Sequence, residues 1–230
     1  MARKKGWGKR CKMLARRRWA VAMTLHGRIF IARHGETVFN AAGRMQGSAQ
    51  DTPLTRAGFA QADAMGAALA TYLGTTQSLR MYCSPSGRAL QTLAIVAEHI
   101  GADWHQVTHD ARLKEIDVGA WGGRPYAEII AEQGEIMDRA ASLFSVRPPG
   151  GEWYDALAAR LNAWIDDTRE DRGDRLVIMH GMSSCILRGI LLGLPVDPRF
   201  GAPIAPRLAQ GTLVTIGDGT EMIVKAGAGA

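Results

Sequence analysis

Apolar side chains in this chain fall into two patterns: short unbroken runs, and longer segments in which they recur every three or four positions. Ile29-Phe30-Ile31-Ala32 is the first short run and predicts a buried strand that stops on Arg33-His34-Gly35. Leu79 to Cys83 predicts a second strand, broken by Ser84-Pro85-Ser86-Gly87, and Trp104 to Thr108 a third. Leu176-Val177-Ile178-Met179 predicts a fourth, which ends on His180-Gly181. Helical spacing begins after Thr55, a good N-cap residue, and runs through Phe59, Ala62, Met65, Leu69, Tyr72 and Leu73. Further helices are predicted from Arg88 through Ile100, Tyr126 to Leu143, Glu152 to Thr168 and Ser183 to Leu194. Leu213 to Val224 reads as a hairpin around Gly217-Asp218-Gly219.

Strands that alternate with helices imply an α/β fold, a three-layer α/β/α sandwich with a mostly parallel central sheet. Three of the strands feed a polar residue and then a helix. That places one shared site at their carboxyl ends, where open α/β sheets bind ligands.

The 230 residues, 47% hydrophobic and 22% charged, suit a single domain with a sizeable core. The formal net charge of +6 suggests nucleic acid until it is located. Residues 1 to 22 hold nine basic side chains and no acid, and taking those nine away leaves −3 for the remainder. The basic character belongs to an extension over 1–22, expected to be disordered, ahead of a domain over 23–225 and a disordered tail over 226–230. That extension is the only expected contact with nucleic acid or an acidic surface. Cys11, Cys83 and Cys185 are far apart and form no metal-ligand pattern, and three thiols without a signal peptide point to a reduced, cytoplasmic setting. No segment reaches membrane-helix length. Oligomeric state stays open, a homodimer included.

The chemistry gathers at the strand ends. Imidazole is a competent nucleophile toward phosphorus, and a guanidinium fork suits phosphate oxygens. Four segments carry such groups in order: Arg33-His34-Gly35-Glu36-Thr37, Ser84-Pro85 with Arg88-Ala89 and Gln91-Thr92, Leu113 with Glu115 and Gly119-Ala120-Trp121, and His180-Gly181. With Asn40, Gln46-Gly47, Asp51-Thr52-Pro53-Leu54-Thr55, Gly58 and Gly150-Gly151-Glu152, these motifs resemble the histidine phosphatase superfamily in its phosphoglycerate-mutase-like branch, over roughly residues 29 to 216.

The resemblance implies His34 as nucleophile and Glu115 as proton donor and acceptor. It implies a phosphoryl group bound by Arg33, Arg88 and His180, helped by Asn40 and the Gln46-Gly47 loop. Thr37, Gly181 and Met182 are counted with the substrate-binding residues. No metal and no cofactor is expected, since the arginines can meet the charge that metal-dependent enzymes meet with Mg²⁺. Neutral His34 is expected beside the arginines, and a raised pKa for Glu115, with Asp117 in reserve. Glu36 is expected in an ion pair, Glu152 as a complement to a helix dipole, and Trp121 and Trp153 as either pocket walls or core.

Mutases of this branch carry a cation-bearing insert before Gly-Gly-Glu. Here residues 116 to 149 hold Arg124, Arg139 and Arg147 against Asp117, Glu128, Glu132, Glu135 and Asp138. Gly122 and Trp153 also depart from mutase usage. The expected activity is therefore phosphomonoester hydrolysis of a small phosphorylated metabolite, with phosphoglycerate mutase, then a non-catalytic phospho-ligand binder, as alternatives.

Overall fold

A computed structural model describes residues 26–49, 51–74 and 79–228. The basic extension over 1–22 and Cys11 lie outside the described residues. Among the described residues six strands form the central sheet: β1 (Ile29–Arg33), β2 (Arg80–Cys83), β3 (Thr108–His109), β4 (Arg175–Met179), β5 (Leu213–Gly217) and β6 (Thr220–Lys225). Their spatial order is β6-β5-β1-β4-β2-β3. β1, β4, β2 and β3 run parallel, and the hairpin β5–β6 adds two antiparallel strands beside β1.

Among the described residues the main helices are α1 (Arg56–Leu73), α2 (Gly87–His99), α3 (Tyr126–Gln133), α4 (Tyr154–Thr168) and α5 (Gly181–Leu191). Because strand side chains alternate in direction, each central strand feeds both faces. Phe30, Ala32, Leu176 and Ile178 pack with Met65 and Leu69 of α1 and Leu93 and Val96 of α2. Ile29, Ile31, Val177 and Met179 pack on the other side with Leu161 and Trp164 of α4 and Ile186 of α5. The expected three-layer architecture is what the chain adopts. Among the described residues no helix is long and apolar enough to cross a membrane.

Three predicted elements differ. Trp104–Gln106 is a 3-10 turn, because the Asp103 carboxylate caps it through the His105 N–H, and pairing starts only at Thr108. The helix predicted to reach Leu143 stops at Gln133, since Gly134 takes a φ of +80° that ends the turn. Met137–Asp138 and Leu143–Phe144 then form a small antiparallel ribbon. The tail is tied down as far as it is described: the Gly227 N–H donates to Thr212 Oγ1 at 3.0 Å and the Ala228 N–H to the Gln210 carbonyl at 3.2 Å.

One close approach fixes the loop after β1. A Cβ on Gly58 would meet the Glu36 carbonyl oxygen at 2.1 Å, and one on Gly35 would meet the Gly58 carbonyl oxygen at 2.3 Å. Two glycines therefore let the first turn of α1 lie against residues 35–36. The Thr55 hydroxyl caps that helix by accepting from the Gly58 N–H at 3.1 Å, while donating to the Glu36 carboxylate at 2.6 Å.

Candidate active site

β1 and β4 are neighbouring parallel strands with Arg33 opposite Met179, so the next residue on each is a histidine. The His34 N–H continues the ladder to the Met179 carbonyl at 3.1 Å, and the Ser84 N–H reaches the Ile178 carbonyl at 3.0 Å. Three strand ends thus meet at one edge. The His34 and His180 rings lie edge to face with centroids 5.2 Å apart.

The His34 Nδ1 lies 2.7 Å from its neighbour's carbonyl, Gly35 O, which can only accept. Nδ1 therefore carries the proton, and the lone pair sits on Nε2. Burial, then the charges of Arg88 and Arg33, hold this imidazole well below its ordinary pKa. His34 lines the cleft as the neutral base that attack on phosphorus needs.

Arg33 and Arg88 are both buried, yet their donors are committed differently. Arg33 gives one N–H to the Leu208 carbonyl at 2.5 Å, and its Nε–H is buried with no partner among the described residues. Among the described residues, four of its five N–H groups stay uncommitted. Arg88 donates to the Gly47 carbonyl (2.7 Å), the Ala49 carbonyl (2.5 Å), Thr52 Oγ1 (2.9 Å) and His180 Nδ1 (3.2 Å). Its fork is largely spent on clamping the 47–52 loop. Burial lowers both guanidinium pKa values to about 10, and both remain charged at neutral pH.

His180 is fully buried and does not line the cleft. Its Nδ1 accepts from Arg88, and its Nε2 lies 2.7 Å from Ser84 Oγ. Both ring nitrogens are engaged inside the protein. Burial first, then Arg88 and His34, push its pKa well below the ordinary value. His180, expected among the phosphoryl-binding residues, instead keeps its ring nitrogens on Arg88 and Ser84 and orients Arg88.

Glu115 arrives from the loop after Leu113 and meets the start of α5. Its carboxylate accepts from the Met182 N–H (2.9 Å), the Ser183 N–H (2.8 Å) and the Ile116 N–H (3.0 Å). The Glu115 carboxylate is thus an acceptor on three backbone donors, two of them at a helix N-terminus. Asp117, the reserve acid, is exposed and caps the Gly119 N–H at 2.9 Å, away from the cleft.

Asn40, Gln46, Gly47, Gly181 and Met182 line the cleft with Arg33, His34, Arg88 and Glu115, as expected. Thr37 does not: its buried hydroxyl lies 2.8 Å from Asn40 Oδ1 and 2.9 Å from Gln46 Oε1, and so orients those two amides. Gln91 and Thr92 support the rim, Gln91 by accepting from the Leu54 N–H (2.9 Å) and Thr92 from the Gly35 N–H (3.1 Å). Glu36 is in no ion pair among the described residues; its partner is the Thr55 hydroxyl. Glu152 pairs with Arg160 at 2.8 Å, and Arg160 also holds the Glu115 carbonyl at 3.2 Å. Trp121 is fully buried core, and Trp153 packs on Tyr154 outside the cleft. Among the described residues no three His, Cys, Asp or Glu side chains converge at metal-binding spacing.

Arg44, Tyr126, Phe144 and Arg207 also line the cleft and were missed by the sequence reading. Arg207 stands in no motif, and only its place in the folded chain reveals it. Arg160 carried one faint signal, its position eight residues after Glu152 on a helix.

A neutral imidazole beside uncommitted guanidinium donors, at the carboxyl edge of a parallel sheet, defines a class: enzymes that move phosphoryl groups through histidine. The profile of the histidine phosphatase superfamily (branch 1) matches residues 29–227, and the chain belongs to that superfamily. A Citrobacter koseri protein named "Probable phosphoglycerate mutase GpmB" is 36% identical over 171 residues, 73% of this chain and 75% of the relative. The solved mycobacterial glucosyl-3-phosphoglycerate phosphatase matches with a TM-score of 0.65 at 29% identity, over 82% of this chain and 92% of that one. The Shigella flexneri alpha-ribazole phosphatase shares the fold with a TM-score of 0.65 at 23% identity, over 88% of this chain and 100% of that one.

Proposed function

We propose that the chain hydrolyses small phosphomonoesters through a phosphohistidine on His34. The observation that carries this is the His34 tautomer: Nδ1–H held by Gly35 O leaves Nε2 as the free lone pair in the Arg33-lined cleft. Nε2 forms a bond to phosphorus while the P–O ester bond breaks, and Arg33 follows the charge on the equatorial oxygens. The leaving alkoxide takes a proton from Glu115, the carboxyl that lines the cleft with His34. Water then attacks phosphorus, Glu115 takes its proton, and the N–P electron pair returns to Nε2. The reaction is written without a metal, the positive charge coming from guanidinium groups.

Hydrolysis is preferred to mutase activity because the 116–149 segment spends its cations elsewhere. Arg124 pairs with Glu132 and Arg139 with Glu135, and Arg147 donates to the Gly151 carbonyl at 3.1 Å. None of the three lines the cleft. The names of curated relatives favour the mutase reading, so isomerisation must be measured alongside.

The test is a rapid quench of the full chain with a phosphomonoester in EDTA, followed by mass spectrometry. A phosphate adduct on His34 with steady phosphate release is expected. Turnover with the adduct elsewhere removes His34 as nucleophile, turnover that needs added Mg²⁺ removes the metal-free route, and faster 3-to-2-phosphoglycerate isomerisation than phosphate release removes the hydrolase.

A further inference from the structure

We propose that the Glu152–Arg160 pair is a positioning device for proton transfer, clasping the backbone on either side of Glu115 so that its carboxyl meets the leaving oxygen. This rests on the phosphohistidine reading above, with Glu115 as its acid and base.

Glu115 sits on a loop just after the 3-10 turn Ala111–Leu113, outside the sheet ladder that fixes Arg33 and His34. A loop side chain reaches a reacting atom reproducibly only where its backbone is held from outside. Here the hold comes from α4. Arg160 of that helix donates to the Arg112 carbonyl, to the Glu115 carbonyl at 3.2 Å, and to the two Glu152 oxygens at 2.8 and 2.9 Å. Four of its five N–H groups are spent this way. Glu152 takes the other side of the loop. Its N–H donates to the Asp117 carbonyl at 2.9 Å, and its carboxylate accepts from the Asp117 N–H at 3.4 Å. One ion pair thus grips the loop by its backbone at residues 112, 115 and 117.

The pair differs from an ordinary surface ion pair. Arg160 and Glu152 are only 20% and 17% exposed, so water and salt screen them little. Neither side chain lines the cleft, and both act through Glu115. The far end of Glu115 is set independently, by the Met182 and Ser183 N–H groups of α5. Glu115 is therefore held at its backbone from α4 and at its carboxylate from α5, two helices that touch on one face of the sheet. Arg33 and Arg88 stand on β1 and α2, so releasing the clasp leaves the phosphoryl end in place.

The test compares kcat/KM for an alkyl and an aryl phosphate in the full chain, since only the alkoxide needs the Glu115 proton to leave. Arg160→Lys keeps the charge but cannot span four acceptors, and its kcat/KM on the alkyl ester is expected to fall at least about tenfold. The aryl ester should lose less than about threefold, and inhibition by inorganic phosphate should change less than about twofold. Glu152→Gln should show the same split more weakly. In a Glu115→Gln background, Arg160→Lys should cost less than about twofold more, because a positioning residue then has no proton donor to place. Asp167→Asn, which releases an exposed ion pair between α4 and Arg112, should leave the alkyl-to-aryl ratio unchanged. Equal losses on both esters, independent losses in the double variant, or phosphate inhibition that falls with activity overturn the positioning role and leave the hydrolase standing. Loss of the folded state by circular dichroism in both Arg160→Lys and Glu152→Gln makes the pair a folding element and overturns it too. A parent that turns over neither ester overturns the hydrolase, and the positioning role with it.

Discussion

Glu115 holds three backbone amides while facing the nucleophile, and those two duties can be separated by one substitution. Glutamine keeps the shape and one acceptor oxygen but cannot carry the transferred proton. In Glu115→Gln, kcat on an alkyl phosphate should fall by about 10²–10⁴, the usual worth of a general acid. An aryl phosphate should lose far less, because phenolate leaves without a proton. Equal losses on both would make Glu115 a helix cap only. The amide NH₂ would also face a backbone N–H donor, so stability should drop by about 1–3 kcal/mol in urea titration. Residues at this scale were legible where a motif names them: His34, Arg33 and Glu115 reach the cleft as expected. Partnership was less legible. That Glu115 caps a helix starting at Gly181, or that Arg88 spends its fork on Gly47, Ala49, Thr52 and His180, depends on which segments meet, and spacing along the chain carries no trace of it.

Strand ends and helix starts do the positioning, and the contact between α1 and the loop after β1 is the tightest of these. Gly58→Ala would set a Cβ 2.1 Å from the Glu36 carbonyl oxygen, which is backbone and cannot swing aside. The loop carrying His34 must shift, so a loss of about 1–3 kcal/mol is expected with a lower kcat. Gly66 on the same helix is the contrast. The nearest atoms to a Cβ there belong to the His99 side chain, from 2.5 Å, and that partly exposed ring rather than backbone must move, while Ala favours helix over Gly by about 1 kcal/mol. Gly66→Ala should be near neutral in thermal melts with kcat kept; equal damage at both sites would deny the loop contact its special place. Elements of this kind were legible when one signal dominated, as with the Thr55 cap or the run Leu176–Met179. They were misread where a local device outweighed the apolar pattern: the Asp103 cap turned Trp104–Gln106 into a 3-10 turn, and positive φ at Gly134 ended α3 at Gln133 rather than Leu143.

Over the whole molecule, two buried imidazoles at the centre of the sheet edge tie stability to pH. The native state holds His34 and His180 neutral, mainly through burial, with Arg88 next, whereas the unfolded chain protonates them near 6.5. Below that value the unfolded state binds more protons, so stability is complete above about pH 6.5 and declines as pH falls. Each such histidine should cost about 1.4 kcal/mol between pH 7.5 and 5.5. The ion-paired carboxylates act in a separate window. Asp174 and Asp110 sit below their ordinary value of 3.8, where hydrogen bonds from Arg28 and Arg112 outweigh burial, so their contribution is lost only at still lower pH. Urea titrations at pH 7.5 and 5.5 should therefore show a fall of about 3 kcal/mol in the parent and about half that in His180→Gln, which has no ring to protonate. An unchanged fall in the variant would mean that His180 charges freely in the native state, and the Arg88–His180–Ser84 chain would then not be what holds the strand ends together.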